Sequence, residues 1–428
     1  MRRRIYTVIF VGVIVSLSIA SGMSGIDAKK KDELYRQVRL FSDALTIIHT
    51  DYVEEIEPKN LIYGALKGML SSLDQHSQFM DPDTYNELKV DTEGKFGGLG
   101  IEITIKDGML TVVTPIEDTP AWKAGIKAND RIVKINNELT RDMSLTEAVK
   151  RLRGKPGESV NLVILRESER KLLEFKIVRD IIKIKDIKEA RILEDGVGYI
   201  RLVEFRENTS KDMDEALNKL KKEGMVSLIL DLRNNPGGLL DVAVNVTEKF
   251  IERGKLIVST KGRKNTQNLE FFSRIENPLT DIPMAVLINE GSASGSEIVA
   301  GCLQDYKRAI IVGTRSFGKG SVQTIIPLSD GSALRLTTSK YFTPSGRQIH
   351  QNGVLPDIVV EEGRIELASK EKTTLEKPTD IFEEIEAKQE ITAPREKISP
   401  EHDYRTDNQL MRALDILKAI KILKDVKR

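Results

Sequence analysis

Met284-Ala285-Val286-Leu287-Ile288-Asn289-Glu290-Gly291-Ser292-Ala293-Ser294-Gly295-Ser296-Glu297 is the stretch that decides the fold. Its first five residues are apolar and read as a buried strand. The Asn, Gly and Ser cluster after them reads as a turn, and the apolar residues through Cys302 as a helix. Strand, small-residue turn and helix form the repeating unit of a layered α/β protein. The unit recurs upstream. Residues 226–232 form a second buried strand, which ends in Asp231-Leu232-Arg233-Asn234-Asn235-Pro236-Gly237-Gly238 and leads into a helix over 239–252. A strand at 197–203, a helix at 210–222 and a strand beginning at 310 extend the alternation. Residues 181–362 are therefore read as one α/β core.

Serine hydroxyls at a strand-to-helix turn suit nucleophilic chemistry. The free amides and positive dipole end of a helix N-terminus favour a developing oxyanion. Ser292, Ser294 and Ser296 all compete for that role, and each could instead cap the helix. A serine nucleophile needs a base. Gly318-Lys319-Gly320-Ser321-Val322-Gln323 presents one lysine between two glycines. A lysine serves as base when its surroundings keep it neutral, and burial acts in that direction. The amide oxygen of Gln323 can accept a bond from that amine without adding charge. The backbone amide of Gly295, directly after Ser294, is a candidate oxyanion donor. Asp231, Arg233 and Glu297 lie near the two turns and read as a salt-bridge scaffold that holds them. The four histidines, His49, His76, His350 and His402, have no placement that suggests a Ser-His-Asp triad. The single cysteine, Cys302, falls in an apolar helix and reads as a buried core thiol, so no disulfide framework and no zinc site are expected.

Ser294-Gly295-Ser296-Glu297, Lys319 and Gln323 together resemble the Ser-Lys-Gln site of the carboxy-terminal processing (tail-specific) proteases. The segment Asp231 to Gly238 is similar to the same family. So are Tyr341-Phe342-Thr343-Pro344-Ser345-Gly346-Arg347 and Gly353-Val354-Leu355-Pro356-Asp357. The resemblance implies Ser294 as nucleophile, Lys319 as general base, Gln323 as its orienting partner, and Gly238 as the second oxyanion donor beside Gly295. It also implies a multidomain fold of α/β and α+β parts. These are a crotonase/ClpP-like α/β protease core, a PDZ domain, and helical N- and C-terminal segments.

Residues 95–180 carry strand-like runs near 101–105, 110–113, 131–135, 160–165 and 172–178, with short helices near 121–123 and 145–152. This order resembles a PDZ domain. Gly98, Leu99, Gly100 and Ile101 are similar to its carboxylate-binding loop, where converging amides hold an anion and the next strand pairs with a peptide tail. The implied partners are protein substrates held by their C-terminal tails.

The remaining segments set the context. Arg2-Arg3-Arg4 followed by apolar residues 5–20 reads as an export signal or N-terminal anchor, assigned to residues 1–28, with the folded part outside the cytoplasm. Residues 29–94 read as helices with apolar faces at Leu34, Val38, Phe41, Leu45 and Ile48, and at Ile62, Leu66, Met69, Leu70 and Leu73. In the family such a segment often takes part in dimerisation, so a homodimer through the N- and C-terminal helical regions is an expectation. Residues 363–405 read as a solvated linker and 406–428 as an amphipathic helix. A net charge of +1 gives no nucleic-acid surface. No cofactor is implied. Two other functions use the same features: a non-catalytic PDZ scaffold, and a crotonase-like acyl-transfer enzyme. The Ser-Lys-Gln set opposes the first, while the PDZ-like segment and export signal oppose the second.

Overall fold

The computed structural model describes residues 32–167, 169–365 and 404–426. The segment read as an export signal or anchor, most of the segment read as a linker, and His402 lie outside the described residues. Among those described, no helix is long and apolar enough to cross a membrane. The chain divides into two compact units, one of residues up to 81 plus 325–336, the other of 82–324 plus 337–428.

In the first unit, a helix over residues 32–51 precedes a second helix, Pro58–Ser71. Proline suits the first turn of that second helix, where its missing N–H would be unpaired anyway. A strand, Gln78–Met80, pairs antiparallel with residues 333–335. The sequence pattern suggests only helices here. A three-residue strand whose partner lies some 250 residues away leaves no periodic signal. Phe79 and Met80 are buried, and the Tyr63 ring meets Phe79 at 4.7 Å. The apolar face of the first helix stays open, with Leu34, Val38, Phe41 and Ile48 exposed.

The second unit begins with the helix Pro82–Glu93 and the strand Lys95–Gly98, which pairs with Asp180–Lys183. Between these lie strands Ile101–Lys106, Met109–Pro115, Arg131–Ile135, Ser159–Arg166 and Lys171–Val178, in that order across one sheet. Pro120–Ala124 and Leu145–Leu152 are its helices, close to the sequence expectation. Val112, Ile132, Leu162 and Ile164 fill a separate core.

The α/β core is a six-stranded sheet. Its spatial order is Ile187–Ile192, Val197–Leu202, Ser227–Asp231, Met284–Ile288, Ile310–Gly313 and Ile358–Val359. All pairs are parallel except the first. Every residue of Ser227–Asp231 and Met284–Ile288 is buried. Such burial stabilises by about 1.5–3 kcal/mol for each large aliphatic side chain. The two strands are parallel neighbours, with Leu230 opposite Val286 and Asp231 opposite Leu287. Their C-terminal ends therefore emerge side by side, which is where open α/β sheets build sites. Helices Thr209–Lys222, Leu240–Thr247 and Gly295–Asp305 bury one side of the sheet, with Met213, Val246 and Val299 in the core. The last helix, Asn408–Val426, covers the other side. Its Leu410, Ala413, Leu414 and Leu417 pack with Ile229, Leu287 and Val312.

Candidate active site

The two turns that leave the neighbouring strands are bound to each other through side chains. Asn289 Oδ1 accepts from Asn234 N at 2.8 Å, and Asn289 Nδ2 donates to Asn234 Oδ1 at 3.0 Å. Asn235 is fully buried. Its Nδ2 donates to Leu202 O, its Oδ1 accepts from Gly237 N, and its carbonyl accepts from Ala293 N at 3.0 Å. Gly237 permits the contact. A Cβ there would lie 2.7 Å from Ser294 Cβ and from Gly295 N, and its φ is +102°. Asn235, Asn289 and Gly237 have no role in the sequence reading. The doubled Asn at 234–235 and doubled Gly at 237–238 mark the first turn, whereas Asn289 carries no comparable signal.

The three serines separate cleanly. Ser292 is fully buried and donates to Leu232 O at 2.8 Å. Ser296, also fully buried, donates to Asn235 O at 2.9 Å. Both hydroxyls therefore hold the turns together. Ser294 stands at the N-cap of Gly295–Asp305 with φ 54° and ψ −109°. A positive φ is uncommon for a residue with a Cβ and costs on the order of 1–3 kcal/mol, strain of the kind that gathers at active sites.

Glu297 joins the serine turn to the lysine loop. Its carboxylate is fully buried and accepts from four donors. Ser294 N and Lys319 N reach Oε2 at 2.9 Å each, Gly318 N reaches Oε1 at 2.7 Å, and Ser316 Oγ reaches Oε1 at 2.5 Å. Burial pushes its pKa above the ordinary glutamate range, and the four bonds oppose that rise. Where the sequence suggests a salt bridge for Glu297, backbone amides and one hydroxyl take the place of a cation. Capping-box spacing, three residues after Ser294, was its legible sequence signal.

Lys319 is half-buried, on a loop pressed against residues 349–353. A Cβ at Gly320 would come within 2.1 Å of His350 N, and Gly318 has φ +90°. Both flanking glycines are thus required by close approach or backbone angle. Gln323 Nε2 donates to Ser321 O at 3.1 Å and to Ser321 Oγ at 2.8 Å, which fixes its amide plane. The chain then crosses to Tyr341, whose N donates to Gly320 O at 2.8 Å. Burial raises the Tyr341 phenol to about 12, moderated by a hydrogen bond with Ser294. Tyr341 lies in a quoted motif, yet nothing in the sequence suggests that it meets the serine.

Gly238 forms a parallel bridge with Phe205. Phe205 N donates to Gly237 O, and Leu239 N donates to Phe205 O. In a parallel bridge the middle residue's own N–H faces the other way. A Cβ at Gly238 would meet Phe205 O at 2.1 Å, and its φ is +145°. Asp231 and Arg233 form the expected ion pair, with Nη2 to Oδ2 at 2.6 Å. Cys302 is buried and its thiol pushed up by burial. His49 is exposed on its helix.

In the PDZ-like region, Gly98, Leu99, Gly100 and Ile101 line a groove of about 180 Å³ with Phe96, Val149 and Arg153. Gly97 and Gly98 lie in the strand paired to residues 180–181, and Gly98 leads directly into Leu99. Leu99 O accepts from Ala121 N at 2.9 Å, and Gly100 O from Ile116 N at 2.8 Å. Peptide planarity then turns the N–H groups of Gly100 and Ile101 the opposite way. Gly100 has φ +79°, and a Cβ there would lie 2.2 Å from Thr119 Cβ.

Comparison with known proteins supplies context for this geometry. Residues 196–360 match the family described as Peptidase family S41, 111–166 match the PDZ domain, and 16–84 match the Activating protease CtpB N-terminal domain. A Carboxy-terminal-processing protease of Bartonella bacilliformis is 46% identical over 355 residues, covering 82% of this chain and 81% of that protein. Carboxy-terminal processing protease CtpB of Bacillus subtilis is 36% identical over 322 residues, covering 74% and 67%. Among solved structures, the photosystem II D1 C-terminal processing protease is 30% identical, covers 75% of this chain and 92% of its own, and has a TM-score of 0.44.

Proposed function

The chain belongs to the carboxy-terminal-processing proteases, serine-type peptidases of family S41 with a PDZ domain, and on that premise we propose an exported endopeptidase that cleaves by Ser294 and Lys319 after capturing its substrate's C-terminal tail. One observation carries the assignment of the nucleophile. Ser292 and Ser296 spend their hydroxyls on the fold, whereas Ser294 sits strained at a helix start with its amide tied through Glu297 to the Lys319 loop.

In this reading Lys319, as a neutral amine, takes the Ser294 proton as Oγ attacks the scissile carbonyl. Gln323 directs that amine from an amide plane fixed by Ser321. The Gly295 and Gly238 amides receive the oxyanion. Losing one such donor typically costs about a hundredfold or more in rate. The protonated lysine then returns its proton to the leaving amine, and water attacks the acyl-enzyme by the same route. Export rests on the basic and apolar N-terminal sequence. The open apolar face of the 32–51 helix supports a homodimer. The test of the whole reading is a peptidase assay on a protein with a free C-terminal tail, with Ser294→Ala as control. Cleavage by the wild type alone is the expected result.

Tail capture gives a separate expectation. The Gly100 and Ile101 amides are assigned to the terminal carboxylate. In the Ser294→Ala background, amidating a substrate tail should weaken binding roughly tenfold or more, since charge-assisted bonds contribute about 1.5–3 kcal/mol each. Gly100→Val should act in the same direction, because its side chain collides with Thr119. Calorimetry that finds equal affinity for free-acid and amidated tails would remove the carboxylate-reading role.

A further inference from the structure

The turn that carries Gly238 does not support itself. Asn234, Gly237 and Gly238 all have positive φ, at 57°, 102° and 145°. Such a turn keeps its shape only when its surroundings over-determine it. The Asn289 pairing restrains it from the serine side. Leu202, Ser296 and Phe205 hold its middle and end, and a further restraint comes from the far end of the chain. Arg233, one residue before Asn234, points its guanidinium at the segment that opens the last helix. Nη1 donates to Asp407 Oδ1 at 3.0 Å and to Gln409 Oε1 at 3.0 Å, and Nη2 donates to Asp407 Oδ2 at 2.7 Å. Nε and Nη2 donate to Asp231 at 3.0 and 2.6 Å. Five bonds use all five N–H hydrogens of the guanidinium.

Each partner is itself anchored. Tyr199 OH donates to Asp231 Oδ2 at 2.8 Å. Asp407 Oδ1 also accepts from Gln409 N and Leu410 N at the helix start, and Gln409 Nε2 donates to Val360 O at 2.7 Å. Gln409 is fully buried, and the Arg233 side chain is 13% exposed. Burial works against the charges here. For Arg233 the bonds to Asp231 and Asp407 outweigh it, and for Asp407 those from Arg233 do the same. A buried fork of this kind is weak evidence of stability, because desolvation offsets most of its attraction. It fixes direction, however, and the direction it fixes is that of the chain entering the oxyanion turn.

We propose that Asp407 and Gln409 are positioning residues of the protease: they close the Arg233 guanidinium and so hold the Asn234–Gly238 turn with its amide in register with Ser294. This rests on the reading of Ser294 as nucleophile and Gly238 as oxyanion donor. The C-terminal helix thus completes the site from 174 residues away, rather than merely covering the sheet.

The full-length chain provides the test. Asp407→Ala should lower kcat roughly tenfold to a hundredfold, part of what loss of an oxyanion donor costs. It should weaken a peptide boronate, whose tetrahedral oxygen occupies the oxyanion position, by a similar factor. KM and the affinity of the PDZ domain for a free tail should stay within about twofold. Asp407→Glu should recover part of the loss by restoring the anion. A kcat and boronate affinity at wild-type levels in Asp407→Ala would overturn the proposal, as would a parallel loss of tail binding. Should that variant fail to melt cooperatively, Gln409→Met removes one guanidinium acceptor and keeps the packing. It should show a smaller, parallel loss of kcat and boronate affinity, and unchanged values there would overturn the proposal as well. Ser294→Ala separates the two readings. An active Ser294→Ala protein defeats the nucleophile assignment, whereas an inactive one beside a fully active Asp407→Ala protein defeats only the positioning role.

Discussion

Ser294→Ala and Lys319→Ala should each abolish peptide cleavage, by roughly four orders of magnitude or more, while the protein stays folded. The two residues act as a unit in the proposed chemistry, so the double variant should be no worse than either single one. Ser292→Ala and Ser296→Ala should behave differently. Each removes a buried bond that ties the two turns, to Leu232 O and to Asn235 O respectively. They should lower the melting temperature, each losing one buried hydrogen bond at about 0.5–1.5 kcal/mol while both acceptors keep a backbone donor, but retain measurable turnover. Steady-state kinetics alongside thermal melts would distinguish these patterns. Turnover by Ser294→Ala near the wild-type rate would end the assignment.

Glu297→Gln is the second large effect expected. Whichever way the new amide is turned, its NH2 faces backbone N–H groups: Gly318 on one side, Ser294 and Lys319 on the other. Buried donors would lose their acceptor and meet another donor, at about 1–3 kcal/mol each. The serine turn and the lysine loop should drift apart, and kcat should fall by roughly a hundredfold. The same residue sets an acid limit. Its folded-state pKa is raised by burial, so on acidification it takes up a proton at a pH above the ordinary glutamate range. Protonation turns an acceptor into a donor and loosens the lysine loop. Activity should therefore fall on that acid limb, and rise again with pH as carboxylate is restored and as the lysine amine becomes neutral. A pH–rate profile with chemistry rate-limiting would read both changes. A Glu297→Gln protein with the wild-type rate would show that this buried carboxylate does not align the site.

Much of this was legible in the sequence, and the remainder was not, for physical reasons. The strands Met284–Ile288 and Arg131–Ile135 and the helix Leu145–Leu152 announce themselves by apolar runs, alternation and caps, which are local properties. The serine turn and lysine loop were visible because close approach or backbone angle demands glycine at Gly237, Gly318 and Gly320, and because small hydroxyl residues cluster beside them. Residues whose role depends on a distant partner left no local trace. The strand Gln78–Met80 exists because residues 333–335 lie beside it. Tyr341 matters through Ser294, Asn235 through Leu202 and Ala293, and Asp407 through Arg233. The charge of Glu297 suggests countercharge in the sequence, whereas the fold supplies amides.

The central claim is that Ser294 is the nucleophile and Lys319 its base. A serine-reactive fluorophosphonate tests this directly, with the modified residue located by peptide mapping and the labelling rate followed against pH. The account predicts a single adduct on Ser294, a rate that climbs with pH, and labelling at least a hundredfold slower in Lys319→Ala, a factor typical of positioned base catalysis. An adduct on Ser292, Ser296 or another serine, or equal labelling of Ser294 without Lys319, would contradict it.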